Sequence, residues 1–430
     1  MQQTTPANKT HLFRGIFIIS LASLFYIYEF ILQASPAVIT EQLIYDFNLN
    51  AANLSILVAC FFYASTPTQL VGGILYDRFG PRLLMTIAIS ICALGTLCFA
   101  TAYNIIPLAM GRAMMGLGSA LSFVGILVLT ARWLPNKYFA LVVGLVQAFG
   151  SLGAMGGQAP LAAAIHTWGW RNSFIGLFIL GVIIAILVAS FVRNWPKHAE
   201  QTKRQLTEKQ NHSIKDSLRA VFRNKQMWWI VSYAFTSWLP ITVFAELWGI
   251  KYLSTLYTVS ITEASGMNAM VWIGIAIGSP LFGWWSSKIG KRCIPLATSA
   301  ALSLFASIII LYIPIPIWLM DNMLFILGMG TSGQALIFAV SVDRNSPIVV
   351  GTAIGFTNLC VVASGDIGQP LSGILLHINW QHTLSSAGTP IYNTSDNFQI
   401  ALSIMPIVAA IGLIISIFFI KETYCKPQYS

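Results

Sequence analysis

Twelve apolar runs, each long enough to cross a bilayer, follow one another along this chain. They lie at approximately 14–38, 51–75, 83–102, 105–133, 139–165 and 173–192, and then at 227–253, 264–286, 294–313, 316–341, 348–377 and 398–420. A hydrocarbon core takes about 20 helical residues, and a segment inside it must satisfy its own amides because lipid offers no partners. Barrel strands would be about ten residues long and alternating in character. These runs are twice that length and apolar all round, so they read as helices, numbered here as spans 1–12. Charged residues make up only 9% of the 430, against roughly 25% in soluble domains. That excludes a soluble enzyme, and it excludes a disordered chain, which would be polar and highly charged. The expected fold class is all-α, a polytopic membrane protein. The run after polar residues 1–11 is too long for a signal-peptide core and has no clear cleavage site, so it is expected to stay as span 1.

The sizeable hydrophilic stretch at 193–226 divides the spans six and six. The expected organisation is a six-helix bundle over 1–192, a cytoplasmic linker over 193–226 and a second six-helix bundle over 227–430. One short amphipathic helix is expected near Ile214–Phe222. All of the 24 Lys and Arg except Arg112, Arg171 and Lys251 fall at the termini, in the even-to-odd loops or in the linker. Positive charge collects on the cytoplasmic side, so both termini and the linker are expected there. The net charge of +10 is then a topology signal, and nucleic-acid binding is not expected. Cys60, Cys92, Cys98, Cys293, Cys360 and Cys425 show no CxxC spacing and read as small core residues, without disulfide or metal.

The loop after span 2 reads Gly73-Ile-Leu-Tyr-Asp77-Arg78-Phe-Gly80-Pro81-Arg82. With the six-plus-six layout it resembles the signature G-x-x-x-D-[RK]-x-G-[RK]-[RK] of the major facilitator superfamily, with Pro81 in one basic place. Gly73 allows close helix approach, Asp77 can cap a helix N-terminus, and Arg78 and Arg82 can anchor at headgroups and pair across the loop. After span 8 the spacing repeats as Gly283, Ser287, Lys288, Gly290, Lys291 and Arg292. Ser287 stands where Asp77 stood, so a weaker latch is expected in the second half. Arg112, Gly116 and Gly118 resemble the family's R-x-x-x-G-x-G motif, and Trp168–Phe174 is similar to its span 5–6 connection. The resemblance implies two pseudo-symmetric six-helix bundles, with spans 1, 4, 7 and 10 nearest the pathway. Span 5 is glycine-rich, but Leu152 and Gly153 replace the glycine–proline pair of drug antiporters, which leans against drug export. The Tyr28-Glu29-Phe30 segment and the span 11 pattern resemble transporters of intracellular bacteria that take up host amino acids.

Ionisable side chains inside spans are costly and mark functional sites. Glu29, Arg112, Glu246 and Asp366 are four such residues. At 1.5 Å per residue they fall between the midplane and the outer half, where transporters bind substrate. Glu29 and Arg112 are expected to pair, with Asp366 or Glu246 carrying a coupling proton and Glu29 a further candidate for it. Tyr28, Glu29 and Gln33 are placed on one face of span 1. The expected cavity wall is Tyr28, Glu29, Gln33, Arg112, Gln147, Trp238, Gln334 and Asn358, joined by Tyr26 and Gln369. Gly351, Gly355, Gly365, Gly368 and Pro370 suggest that span 11 bends as a gate.

The function these features point to is secondary transport by alternating access. The expected solute is small, polar and organic (an amino acid, a short peptide or an organic acid), imported with protons. Export of a metabolite, siderophore or drug by proton antiport is the alternative. A non-transporting receptor or scaffold is the reading from another class, and no enzyme is expected, since no nucleophile–base pair or metal cluster is recognisable. The expected partners are a small-molecule substrate, protons and the lipid bilayer. The chain is expected to be a monomer, without cofactor or metal, in a bacterial inner membrane.

Overall fold

The computed structural model describes residues 9–134, 139–195, 214–346, 349–379 and 395–426. Among the described residues, eleven helical segments are long and apolar enough to cross a membrane. In the first half they are Phe13–Val38, Ala51–Gln69, Pro81–Ala100, Ile105–Thr130 and Trp170–Phe191. In the second they are Lys225–Tyr257, Ile261–Ile289, Cys293–Tyr312, Ile317–Asp343, Gly351–Ile378 and Asp396–Phe419. Span 5 completes the set as two helices, Phe139–Gly156 and Ala159–Trp168, interrupted at Gly157–Gln158. No strand occurs among the described residues. The architecture is the two-bundle membrane fold expected from the sequence. A helix also forms at Ile214–Arg223, and its Phe222 ring packs 4.8 Å from that of Phe356 in span 11.

Helix starts carry side chains that satisfy the free amides of a first turn. Asn50 accepts from Asn53 N at the head of span 2, and Asn104 from Ile106 N at the head of span 4. Ser260 and Glu263 form a reciprocal capping box on span 8.

Glycines set the helix spacing, and they do so in both halves alike. A Cβ on Gly116 of span 4 would lie 1.8 Å from the Phe61 carbonyl oxygen of span 2. A Cβ on Gly328 of span 10 would lie 1.9 Å from the Val271 carbonyl oxygen of span 8. Each pair is the counterpart of the other six spans along, so the repeat weakly legible in the loop motifs is strong in the packing. Span 5 approaches span 1 through Gly153, whose Cβ would lie 2.3 Å from Ile27 O.

Span 11 is one continuous helix, Val350–Ile378, with Pro370 inside it. Span 7 is irregular. After Pro240, residues Ile241–Trp248 form a π-helix in which every side chain is buried. A π-turn releases carbonyls from the usual i−4 pairing, and side-chain amides take them up. Ala245 O accepts from Gln158 Nε2 at 3.0 Å and from Asn268 Nδ2 at 2.9 Å, and Thr242 O accepts from Gln369 Nε2 at 3.1 Å. Spans 5, 8 and 11 thereby hold the wide turn of span 7.

The second-half loop is latched despite Ser287. Arg292 Nε lies 3.1 Å from Asp343 Oδ2, and Thr423 Oγ1 donates to the same oxygen. The Glu422 carboxylate accepts backbone N–H groups of Arg292, Cys293, Thr423 and Tyr424 at 2.8–3.0 Å. The acid missing at 287 is thus replaced from the end of span 10 and from beyond span 12. Partial burial pushes the Glu422 carboxyl up, but the four backbone donors outweigh it and hold it below the usual range. A depressed folded value gives stability that is present above the ordinary carboxylate range and lost as pH falls through the folded value. Thermal unfolding in detergent from neutral pH down to about pH 3 is expected to fall more steeply for the native chain than for Glu422→Gln. Parallel profiles would contradict the clamp.

Candidate functional site

Both halves wall one central cavity of about 80 Å³. Span 1 contributes Tyr26, Glu29, Phe30 and Gln33, a spacing of three, four and seven that defines one helical face. Span 2 adds Gln69, span 4 adds Ser119, Ser122 and Phe123, and span 5 adds Gln147 and Ser151. From the second half come Trp238 of span 7, Trp272 of span 8, Gln334 and Phe338 of span 10, and Asn358 of span 11. Glu29, Gln33, Gln147, Trp238, Gln334 and Asn358 are therefore brought together. Glu29 accepts from the Ser122 hydroxyl, and Tyr26 donates to Gln147 Oε1 at 3.0 Å. Asn358 Nδ2 donates to Gln69 Oε1 at 3.0 Å, joining the halves across the cavity.

Other expected residues stand elsewhere. Tyr28 is fully buried, with its hydroxyl 3.3 Å from Thr96 Oγ1 in span 3. Neighbours on a helix point about 100° apart, so Tyr28 leaves the face that Glu29 and Gln33 share. Arg112 is 1% exposed and lines no part of the cavity. Its guanidinium donates to Leu32 O at 2.9 Å and lies over the Phe61 ring at 4.9 Å. The expected Glu29–Arg112 ion pair does not form, because backbone carbonyls hold the arginine between spans 1, 2 and 4 while Glu29 turns to Ser122. Asp366 lies beside Thr66 of span 2, at the seam with span 11 and off the cavity wall. Gln369 serves the π-helix and also stays off the wall.

Glu246 belongs to that π-helix and is completely buried. It accepts from Gln33 Nε2 at 2.8 Å, and Gln33 lines the cavity, so one amide links the wall to span 7. Lys251, nine-residue helix Gly249–Tyr257, forms an ion pair with Glu41 of the first half. These contacts, with Gln158 on Ala245 O, bind the halves at the end of the molecule remote from the linker.

The motif loops are anchored structurally. Gly80 has φ +76°, and Arg82 donates through N to Asn194 Oδ1 and through Nε to Ala189 O, both at 2.8 Å. The surroundings of Gly73 and the side chains of Asp77 and Arg78 lie outside the described residues. Gly290 takes φ +66° at the end of span 8, Lys288 lies over the Trp284 ring at 4.9 Å, and Gly283 has open space beside it.

Sequence reasoning missed Gln69, Ser119, Ser122, Ser151 and Trp272 on the wall, and Gln158 and Asn268 behind it. The available signal was register: each is polar or amphipathic within an apolar span.

The Major Facilitator Superfamily description matches residues 16–369. The chain belongs to that family. This major facilitator is an integral multi-pass membrane transporter and not an enzyme. It is 26% identical to the hexuronate transporter of Bacillus subtilis (strain 168), over 77% of this chain and 81% of that protein. It is 24% identical to the probable L-galactonate transporter of Escherichia coli (strain K12), over 100% of this chain and 93% of that one. Its fold is similar to that of a bacterial homologue of the human lysosomal transporter Spinster, with TM-score 0.78 and 16% identity over 97% and 99% of the two chains. It is likewise similar to a D-xylose–proton symporter, with TM-score 0.73 and 15% identity over 97% and 100%. These relatives lend no support to the amino-acid subgroup suggested by Tyr28–Phe30.

Proposed function

We propose that this major facilitator imports a small polar organic solute together with protons by alternating access. In this reading the protein works as a monomer in a bacterial inner membrane, with both termini cytoplasmic. The observation that carries it is a polar cavity walled by both halves, with Gln33 joining its wall to buried Glu246 across the closed end. Substrate sits on the wall, and the proton sits on Glu246. An ionised Glu246 accepts from Gln33 and holds the halves together at that end. A protonated Glu246 is a weaker acceptor, so proton occupancy biases the two arrangements. A ligand shifts such an equilibrium only through its different affinities for the two states, and this contact supplies the difference. Glu29 stays on the wall with substrate, and Asp366 is assigned to the span 2–span 11 seam.

Uptake of a labelled solute panel into proteoliposomes, with and without an inward proton gradient, tests the reading. At least one solute is expected to accumulate above equilibrium only with the gradient and to leak back when a protonophore is added. Accumulation indifferent to the gradient would remove the coupling. Absence of any uptake or exchange would remove the transport reading of the cavity.

A further inference from the structure

Five aromatic rings run as a continuous arc around the cavity, contributed by both halves. Phe123 lies 5.7 Å from Tyr26, Tyr26 4.9 Å from Phe30, Phe30 6.1 Å from Trp272, and Trp272 6.3 Å from Trp238, all between ring centroids. Every ring in the arc lines the cavity. Glu29 lines the same cavity as the five rings, as does its partner Ser122, so the carboxylate stands at the arc.

Among the described residues the wall holds this one carboxylate and no Lys, Arg or His. Arg112, the nearby cation by sequence, is turned away and held by carbonyls. Glu29 is 7% exposed and has a single side-chain donor, Ser122. A buried carboxylate without a cation is costly, and a cation over aromatic faces is stabilised by their quadrupoles within about 6 Å of a ring centroid. The wall also carries the neutral amides of Gln33, Gln69, Gln147, Gln334 and Asn358 and the hydroxyls of Ser119 and Ser151, suited to hydrogen bonding around a charged centre.

We infer that this cavity recognises a positively charged nitrogen, an ammonium seated against Glu29 within the ring arc, and is not built for an organic anion. The inference rests on the transport reading above and narrows it. The ammonium can belong to an organic cation or to a zwitterion. An anion without an ammonium would meet a like charge at Glu29 and no cationic partner on the wall.

Purified protein is reconstituted, and exchange of three labelled groups is measured. They are choline and putrescine as cations, glycine betaine and threonine as zwitterions, and glucuronate and galactonate as anions. Exchange of at least one ammonium compound is expected, with the anions inert. The cation and zwitterion arms identify which source carries the ammonium. Glu29→Gln is expected to weaken that compound's binding by at least about tenfold, with partial recovery in Glu29→Asp. Phe123→Leu, which keeps an apolar side chain of smaller size, is expected to weaken it roughly three- to tenfold. Binding of the same ligand is followed by tryptophan fluorescence, and the melting transition of each variant is recorded so that affinity is read only on folded protein. Exchange of an anion with ammonium compounds inert overturns the inference and leaves the transport reading standing. Native affinity in folded Glu29→Gln overturns it as well. Inertness of all three groups in the same vesicles overturns both.

Discussion

Gly116→Val is expected to destabilise the protein by about 3 kcal/mol or more, the upper part of the range for overpacked cores. Even the first added atom would sit 1.8 Å from Phe61 O, and the obstacle is backbone rather than a yielding side chain. Spans 2 and 4 would have to part, and the parting would reach the Arg112 contact with Val58 O. Gly328→Val is expected to do the same in the second half, through Val271 O. Gly355→Ala is the control: nothing lies within 4 Å of its Cβ position, and alanine favours a helix by roughly 0.5–1 kcal/mol. Thermal unfolding in detergent should show the first two variants strongly lowered and the third unchanged or raised. Equal behaviour of Gly116→Val and Gly355→Ala would contradict the close-packed arrangement.

Glu246→Gln is expected to abolish proton-driven accumulation while leaving solute exchange. The amide is close in shape to a protonated carboxyl and keeps a partner for Gln33, so span 7 retains its packing. It cannot gain or lose the proton. One proton per solute sustains at most about a tenfold solute ratio for each pH unit of gradient, since a unit is worth about 1.4 kcal/mol. The variant should fall from that ratio to equality across the membrane. Accumulation is measured under a fixed gradient, and exchange at symmetric pH. Full accumulation in Glu246→Gln would reassign the coupling proton.

The class of fold was legible because lipid imposes a simple rule: long apolar runs become spanning helices. The Gly73–Arg82 and Gly283–Arg292 repeats then marked the two halves. What remained hidden was rotational register and backbone irregularity. Tyr28 was placed on the face of Glu29 and Gln33, whereas the set that faces the cavity is Tyr26, Glu29, Phe30 and Gln33, at i, i+3, i+4 and i+7. Arg112 was read as a partner for Glu29 on charge and depth alone, but carbonyls of Leu32 and Val58 lie nearer to it than any acid does. The π-helix of span 7 was missed because its causes are distributed. Pro240 is local, but Gln158, Asn268 and Gln369 come from three other spans. Span 11 has as many glycines as a hinge would need, yet it is one continuous helix, and several of them serve packing: Gly365 meets Phe62, and Gly373 meets Ser55.

In the proposed cycle the two halves separate and rejoin around one cavity, with the Glu41–Lys251 end opening each time. Cysteines at Glu41 and Lys251, joined by a short bifunctional thiol reagent, allow the most direct measurement: solute counterflow in proteoliposomes before and after cross-linking. Counterflow is expected in the unlinked variant and should fall to background once the ends are joined, with ligand binding retained. Undiminished counterflow through the cross-linked protein would contradict it.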